Sequence, residues 1–226
     1  METPKKKIVD KPMVYLDLDN TLLHSIPSEI FHEKYKSKLD KDLLATKLNK
    51  TKVYDMKDNG KSYYLVFERP HVQEFLDFLF ENFSVNIWTA ATKDYAAFII
   101  EHLVLNQRAN RKLDYVFVNY HTRKSKKRYG KRFPKNLKML QDVYKIPHMT
   151  DSNSFIIDDH PDVKSSQVER CIVAPEWNIF DEDTLELKLT ALDDTFLNDV
   201  QSKLKEYLKH FKENNGQVVN VNDPGP

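Results

Sequence analysis

Short stretches of near-continuous hydrophobicity recur along the chain: Met13 to Leu18, Val85 to Trp88, Tyr115 to Val118, Phe155 to Ile157 and Cys171 to Ala174. Runs this short, without polar alternation, read as strands buried on both faces, the habit of parallel sheets. Helical spacing fills most of the intervals. From His71 to Asn82 the apolar residues Val72, Phe75, Leu76, Leu79 and Phe80 share one stripe, and Asp94 to Asn106 repeats it with Ala97, Phe98, Ile99, Ile100 and Leu103. Further helices are predicted over Pro134 to Tyr144 and Asp193 to Phe211. Strands alternating with helices predict an α/β fold of Rossmann-like type, a central parallel sheet flanked by helices. In such sheets ligands bind beyond the carboxyl ends of the strands.

Two segments break the alternation. Residues 25–69 contain two β-rich runs separated by Asn59-Gly60, a strong hairpin signal, with a helix expected near Leu39 to Leu48. This is a small β insertion after the first strand. The other is the stretch from His121 to Phe133, read as a basic loop. The expected organisation is a polar, flexible tail over 1–12, one domain over 13–212 with its insertion at about 25–69, and a second flexible tail over 213–226.

Composition narrows the class without naming a partner. The 226 residues are 40% hydrophobic and 31% charged, with a net charge of +1. No apolar run approaches the roughly 18 residues of a membrane span, and no secretory signal is evident, so no membrane partner is expected. Cys171 is the only cysteine, which excludes an intrachain disulfide and fits a reducing, intracellular setting, nuclear or cytoplasmic. Its apolar surroundings mark it as inert packing.

The chemistry gathers at the predicted strand ends. Asp17 and Asp19, with Thr21 beyond them, leave the first strand; Thr89 and Ala90 leave the second; Lys135 opens a later helix; Asp158 and Asp159 leave the fourth. In a parallel sheet all of these meet at one edge. Two acids this close repel unless a cation lies between them or one keeps its proton, and Mg²⁺ held by carboxylates, water and a phosphate meets that need. A carboxylate nucleophile, a second carboxyl for proton transfer, and positive charge to offset the phosphoryl oxygens are together what phosphoryl transfer through an aspartyl-phosphate requires.

Asp17-Leu18-Asp19-Asn20-Thr21-Leu22-Leu23-His24-Ser25 resembles the first motif of the haloacid dehalogenase superfamily. The closer resemblance is to the phosphatases that act on the C-terminal repeat domain of RNA polymerase II. Arg69-Pro70-His71-Val72, Trp88-Thr89-Ala90-Ala91, Phe133-Pro134-Lys135-Asn136-Leu137 and Ile157-Asp158-Asp159-His160-Pro161 are similar to that family's later motifs, in order. The resemblance implies Asp17 as nucleophile and Asp19 as general acid and base. It implies Thr89, Ala90 and Lys135 as phosphate-binding, and a Mg²⁺ site formed by Asp17, Asp19 through its backbone carbonyl, and Asp158. Thr21 and Asp159 stand behind these, Asp159 acting through water. It also implies a β-hairpin insertion beside the site, matched by residues around 51–67, where Tyr54, Tyr63 and Tyr64 face either a docked peptide or the core.

The chain departs from the pattern at Asn20, where the family has Glu, and at residues 123–132, where Arg123, Lys124, Lys126, Lys127, Arg128, Lys131 and Arg132 are accompanied by no acid. That run reads as substrate steering, as a solvated face, or as a contact for nucleic acid. Lys131 competes with Lys135 for the lysine role, and the residues after Lys135 favour the latter. The expected activity is a Mg²⁺-dependent protein serine/threonine phosphatase acting on phosphopeptides like the polymerase tail. The rivals are a phosphatase for a nucleotide, a nucleic-acid end or a small metabolite, and a non-catalytic binding module of the same fold.

Overall fold

The computed structural model describes residues 11–181, 183–218 and 220–223, so most of the expected N-terminal tail lies outside the described residues. In chain order the elements begin with β1 (Met13–Leu16), β2 (Leu23–Pro27), α1 (Ser28–Lys34), α2 (Lys38–Lys47), β3 (Val53–Asp58) and β4 (Lys61–Glu68). Then come α3 (Val72–Asn82), β5 (Ser84–Trp88), α4 (Lys93–Ile99), β6 (Val116–Phe117), α5 (Asn119–Tyr129) and α6 (Leu137–Asp142). The chain closes with β7 (Ser154–Asp158), α7 (Pro161–Ser166), β8 (Cys171–Val173) and α8 (Phe196–Glu213).

The main sheet has the order β6-β5-β1-β7-β8, and every pairing in it is parallel. β1 lies at its centre, with Val14 opposite Val85 on one side and Phe155 on the other. Because side chains alternate along a strand, β1 feeds two cores. Val14 and Leu16 pack under α3, α4 and α8, while Met13 and Tyr15 pack with Trp88, Leu137, Leu140 and Ile156 on the opposite face. Burial on both faces is why these strands read as unbroken apolar runs. The stripes on α3 and on α8, the latter made of Leu197, Val200, Leu204, Tyr207, Leu208 and Phe211, are the buried faces of their helices.

The insertion forms a separate antiparallel sheet of order β2-β4-β3. Asn59 and Gly60 turn the hairpin with φ of 49° and 79°, the left-handed pair that a tight two-residue turn needs. Residues 25–69 hold two helices besides the strands, and Ile26, Leu65 and Phe67 close a third core with Trp177, Ile179 and Phe180.

Three expectations are corrected. Residues 123–129 are not loop: they form most of α5. The predicted helix over Asp94 to Asn106 changes from α to a wider π turn at Ile100–Leu105 and ends at Asn106, whose φ is 45°. Among the described residues beyond α8, two are packed into the domain, where a polar tail was expected. Val218 and Val221 are buried, and their backbone N–H groups donate to the carbonyls of Ser152 and Glu169 at 2.9 Å.

Candidate active site

Three neighbouring parallel strands deliver the polar groups to one edge. The Asp17 N–H donates to the Ile157 carbonyl (3.0 Å), extending the β1 ladder by one bond before the chain turns. The turn is tight, since the N–H of Leu22 reaches the Leu18 carbonyl at 2.8 Å and Asn20 takes φ of 57°. Asparagine tolerates that left-handed region better than most residues. The Asn20 amide donates to Glu176 Oε1 at 2.9 Å, tying the turn to the segment that follows β8.

The Lys135 ammonium lies between two carboxylates, 2.7 Å from Asp17 Oδ1 and 2.7 Å from Asp158 Oδ2. All three side chains are nearly or wholly buried. Burial works against the charge on Lys135, but Asp158 and Asp17 outweigh it and hold its pKa above the ordinary lysine range. Lys131, the competing lysine, is exposed. Asp158 is further fixed by the His160 N–H, which donates to Oδ1 at 2.9 Å.

Asp159 stands closer than expected. Its carboxylate, with those of Asp17 and Asp158, offers oxygens that all lie within 4.8 Å of one another, a grouping that could hold a cation directly. Thr21 is wholly buried and its hydroxyl donates to Asp159 Oδ1 at 3.4 Å. Burial, then repulsion from Asp17, pushes Asp159 up to about 6, and the same two causes push Asp158 up against the pull of Lys135. Three carboxylates against one ammonium leave two negative charges in excess. A hard divalent cation with oxygen ligands suits that donor set, so the residues present fit Mg²⁺. The carboxylate of Asp19 is not in this cluster. It accepts a 2.5 Å hydrogen bond from the hydroxyl of Tyr95, a buried residue on α4. Burial raises Asp19 to about 6, a hydrogen bond from Tyr95 opposes the rise, and Asp17 adds to it.

Thr89 ends β5 with its N–H donating to the Phe117 carbonyl (2.9 Å) and its hydroxyl accepting from the Ala91 N–H (3.0 Å). It braces its own loop and does not cap α4, whose N-cap is Thr92. Ala90 is exposed between them. His160 caps α7, accepting from the Asp162 N–H, and the half-buried His24 has a buried Nδ1 without a hydrogen-bond partner.

Sequence reasoning did not single out Tyr95, and it left Arg69 as a motif residue without a role. Arg69 is buried and binds Asp194 through two 2.9 Å bonds, the Thr21 carbonyl at 3.0 Å and the Pro175 carbonyl at 3.1 Å. It thereby pins the turn after Asp17 to the chain that leads into α8. Tyr95 was findable, because it lies on the buried stripe of the helix that follows Thr89. Of the hairpin tyrosines, Tyr64 rests edge-on against Tyr95, Tyr54 bonds Glu68, and Tyr63 is exposed. No helix among the described residues is long and apolar enough to cross a membrane.

Residues 12–216 match the NLI interacting factor-like phosphatase family. The chain is 39% identical over 172 residues to the CTD phosphatase-like protein 355R of Invertebrate iridescent virus 6, a match covering 76% of this chain and 88% of the relative. The protein of the same description from Invertebrate iridescent virus 3 is 36% identical over 176 residues, covering 76% and 84%. Among solved structures, that of Fcp1, an essential RNA polymerase II CTD phosphatase, shares the fold with a TM-score of 0.58. That match is 16% identical and covers 94% of this chain and 68% of Fcp1.

Proposed function

This chain belongs to the NLI interacting factor-like phosphatase family, and from that membership and the geometry of its site we propose that it is a Mg²⁺-dependent protein serine/threonine phosphatase working through an aspartyl-phosphate on Asp17. The observation that carries the proposal is Lys135 held 2.7 Å from both Asp17 and Asp158 at the sheet edge, with Asp159 beside them. The arrangement supports the reading because it sets a buried ammonium beside the Asp17 carboxylate, the charge that incoming phosphoryl oxygens would need.

In the first step an Asp17 oxygen attacks phosphorus, the P–O bond to the seryl oxygen breaks, and Asp19 gives its proton to that oxygen. Burial raises its pKa to about 6, so the proton-carrying form this step needs is more populated than in an ordinary aspartate. In the second step water attacks the phosphoryl group, Asp19 takes back a proton, and Asp17 is released with inorganic phosphate. Lys135, the Thr89 hydroxyl and the backbone N–H of Ala90 hold the phosphoryl oxygens and offset their charge. Asp17, Asp158 and Asp159, with the Asp19 carbonyl, would hold Mg²⁺, which supplies further neutralisation of the phosphoryl charge. The relatives named as CTD phosphatase-like support a phosphorylated peptide of the polymerase-tail kind as substrate.

The test is phosphate release from a phosphoserine tail-repeat peptide, with a 3′-phosphorylated oligonucleotide in parallel, with and without EDTA. Asp17→Asn should abolish peptide turnover, a loss of about a thousandfold or more. Turnover of the oligonucleotide alone would move the substrate to nucleic acid, and turnover that survives in Asp17→Asn would sink the mechanism.

A further inference from the structure

The chain carries nearly equal numbers of acidic and basic residues, 34 against 35, yet α5 and the turn after it depart from that balance. Arg123, Lys126, Lys127, Arg128, Lys131 and Arg132 are exposed, and the half-buried Lys124 sets its ammonium 4.9 Å from the centre of the Tyr144 ring. No Asp or Glu occurs between Asn119 and Pro134. None of these cations forms an ion pair among the described residues, whereas the buried or half-buried arginines 69, 111 and 170 each have an aspartate.

The opposite face of the same helix is bonded to the two loops that grip phosphate in the proposed mechanism. Thr122 accepts from Trp88 Nε1 (3.2 Å) and donates to the Thr89 carbonyl (3.4 Å). Ser125 donates to the Phe133 carbonyl (2.6 Å) and accepts from the Asn136 N–H (3.1 Å), clasping the segment that carries Lys135. The helix N-terminus is tied in as well, with the Asn119 N–H donating to the Ala91 carbonyl at 2.9 Å. α5 is therefore fixed to both proposed phosphate-binding loops, so its exposed cations ride on a helix held beside the site and not on a free loop.

We propose that this face docks a second anionic group of the substrate peptide, a phosphorylated residue or an acidic run flanking the phosphoserine that is hydrolysed; this rests on the phosphatase reading above. The 11 residues of α5 span about 16 Å, the reach of about five residues of extended peptide, so the second anion lies within about that distance of the first. Peptide is favoured over nucleic acid because the relatives this chain matches are described as CTD phosphatase-like.

The test compares two phosphoserine peptides, one with neutral and one with glutamate flanks, on the wild type and on a Lys126→Gln/Lys127→Gln/Arg128→Gln variant. p-Nitrophenyl phosphate, which has no flanking charge, reports the catalytic centre and the integrity of the fold. The wild type should prefer the acidic peptide by about tenfold in kcat/KM at low salt, mostly through KM, with the preference shrinking as salt is added. The variant should hydrolyse both peptides equally while turning over p-nitrophenyl phosphate like the wild type. Equal kcat/KM for the two peptides in the wild type, or a preference that persists in the variant, overturns the proposal. So does a fluorescent RNA oligonucleotide that loses binding in the variant while the peptide preference stays. If p-nitrophenyl phosphate shows no Asp17-dependent turnover, the phosphatase reading fails on its own. Docking is then judged by anisotropy of the labelled peptides, where tighter binding of the acidic peptide that the variant loses sustains it and equal binding overturns it.

Discussion

Burial at the site's edge sets the properties of single residues. In the proposed mechanism Asp19 transfers a proton only if its carboxyl points at the leaving oxygen, and Tyr95 holds that carboxyl through its hydroxyl. Tyr95→Phe removes that bond and little else. It should lower kcat/KM about tenfold for an alkyl phosphate, whose leaving group needs the proton, and by less than about twofold for p-nitrophenyl phosphate, whose leaving group does not. Equal losses on both substrates would mean that Tyr95 supports the fold and not the acid. His24 offers a separate test through stability. Burial first, then the charge of Lys188, lowers its pKa from 6.5 to about 4. The unfolded chain therefore binds a proton at a pH where the native state refuses it. The stability from neutral His24 is complete above pH 6.5 and is lost as pH falls toward 4, amounting to about 2 kcal/mol between pH 7 and pH 5. Urea unfolding of the wild type and of His24→Phe across that range should show this difference in slope. Carboxylates with raised pKa act in the opposite sense in both proteins and cancel in the comparison. Parallel curves would refute the assignment.

At the scale of elements, the amphipathic helices were legible because their stripes coincide with their buried faces. Leu204, wholly buried in the middle of α8, packs in the core beneath the main sheet. Leu204→Ala should cost about 2–5 kcal/mol by denaturant unfolding, with the spread set by how far the site collapses. Turnover per folded molecule should hardly change, because α8 brings no group to the catalytic edge; a selective loss of kcat would contradict that. α5 was misread for an equally physical reason. Its apolar stripe is missing, and its inward positions are Thr122 and Ser125, which anchor it by hydrogen bonds instead of hydrophobic burial. A helix held in this way carries no hydrophobic period to detect.

At the scale of the molecule, the insertion, the catalytic turn and the final helix are joined through Arg69. Its guanidinium uses its planar fork to reach Asp194, Thr21 and Pro175 together and stacks against Phe196 with 4.6 Å to the ring centre. A lysine cannot make that set of bonds. Arg69→Lys should destabilise the protein by about 3 kcal/mol and lower turnover, because the turn after Asp17 loses its clamp. Thermal unfolding alongside phosphate release checks both parts, and wild-type stability in the variant would show that the clamp is dispensable.

The sequence by itself determined the α/β class, the succession of the main-sheet strands, the hairpin at Asn59-Gly60 and the set of polar residues at the strand ends. These follow from local periodicity and turn chemistry, and the parallel topology then requires the strand ends to share an edge. Tertiary structure alone decided which polar groups meet. It brought Asp159 within reach of Asp17 and Asp158, turned the Asp19 carboxylate to Tyr95, set Lys135 between two carboxylates, and packed Val218 and Val221 against the domain. The reason is that spacing along a chain fixes which face a side chain leaves from. Distances of a few ångströms between carboxylates on different strands depend on register, loop course and burial, which are set only when the layers pack.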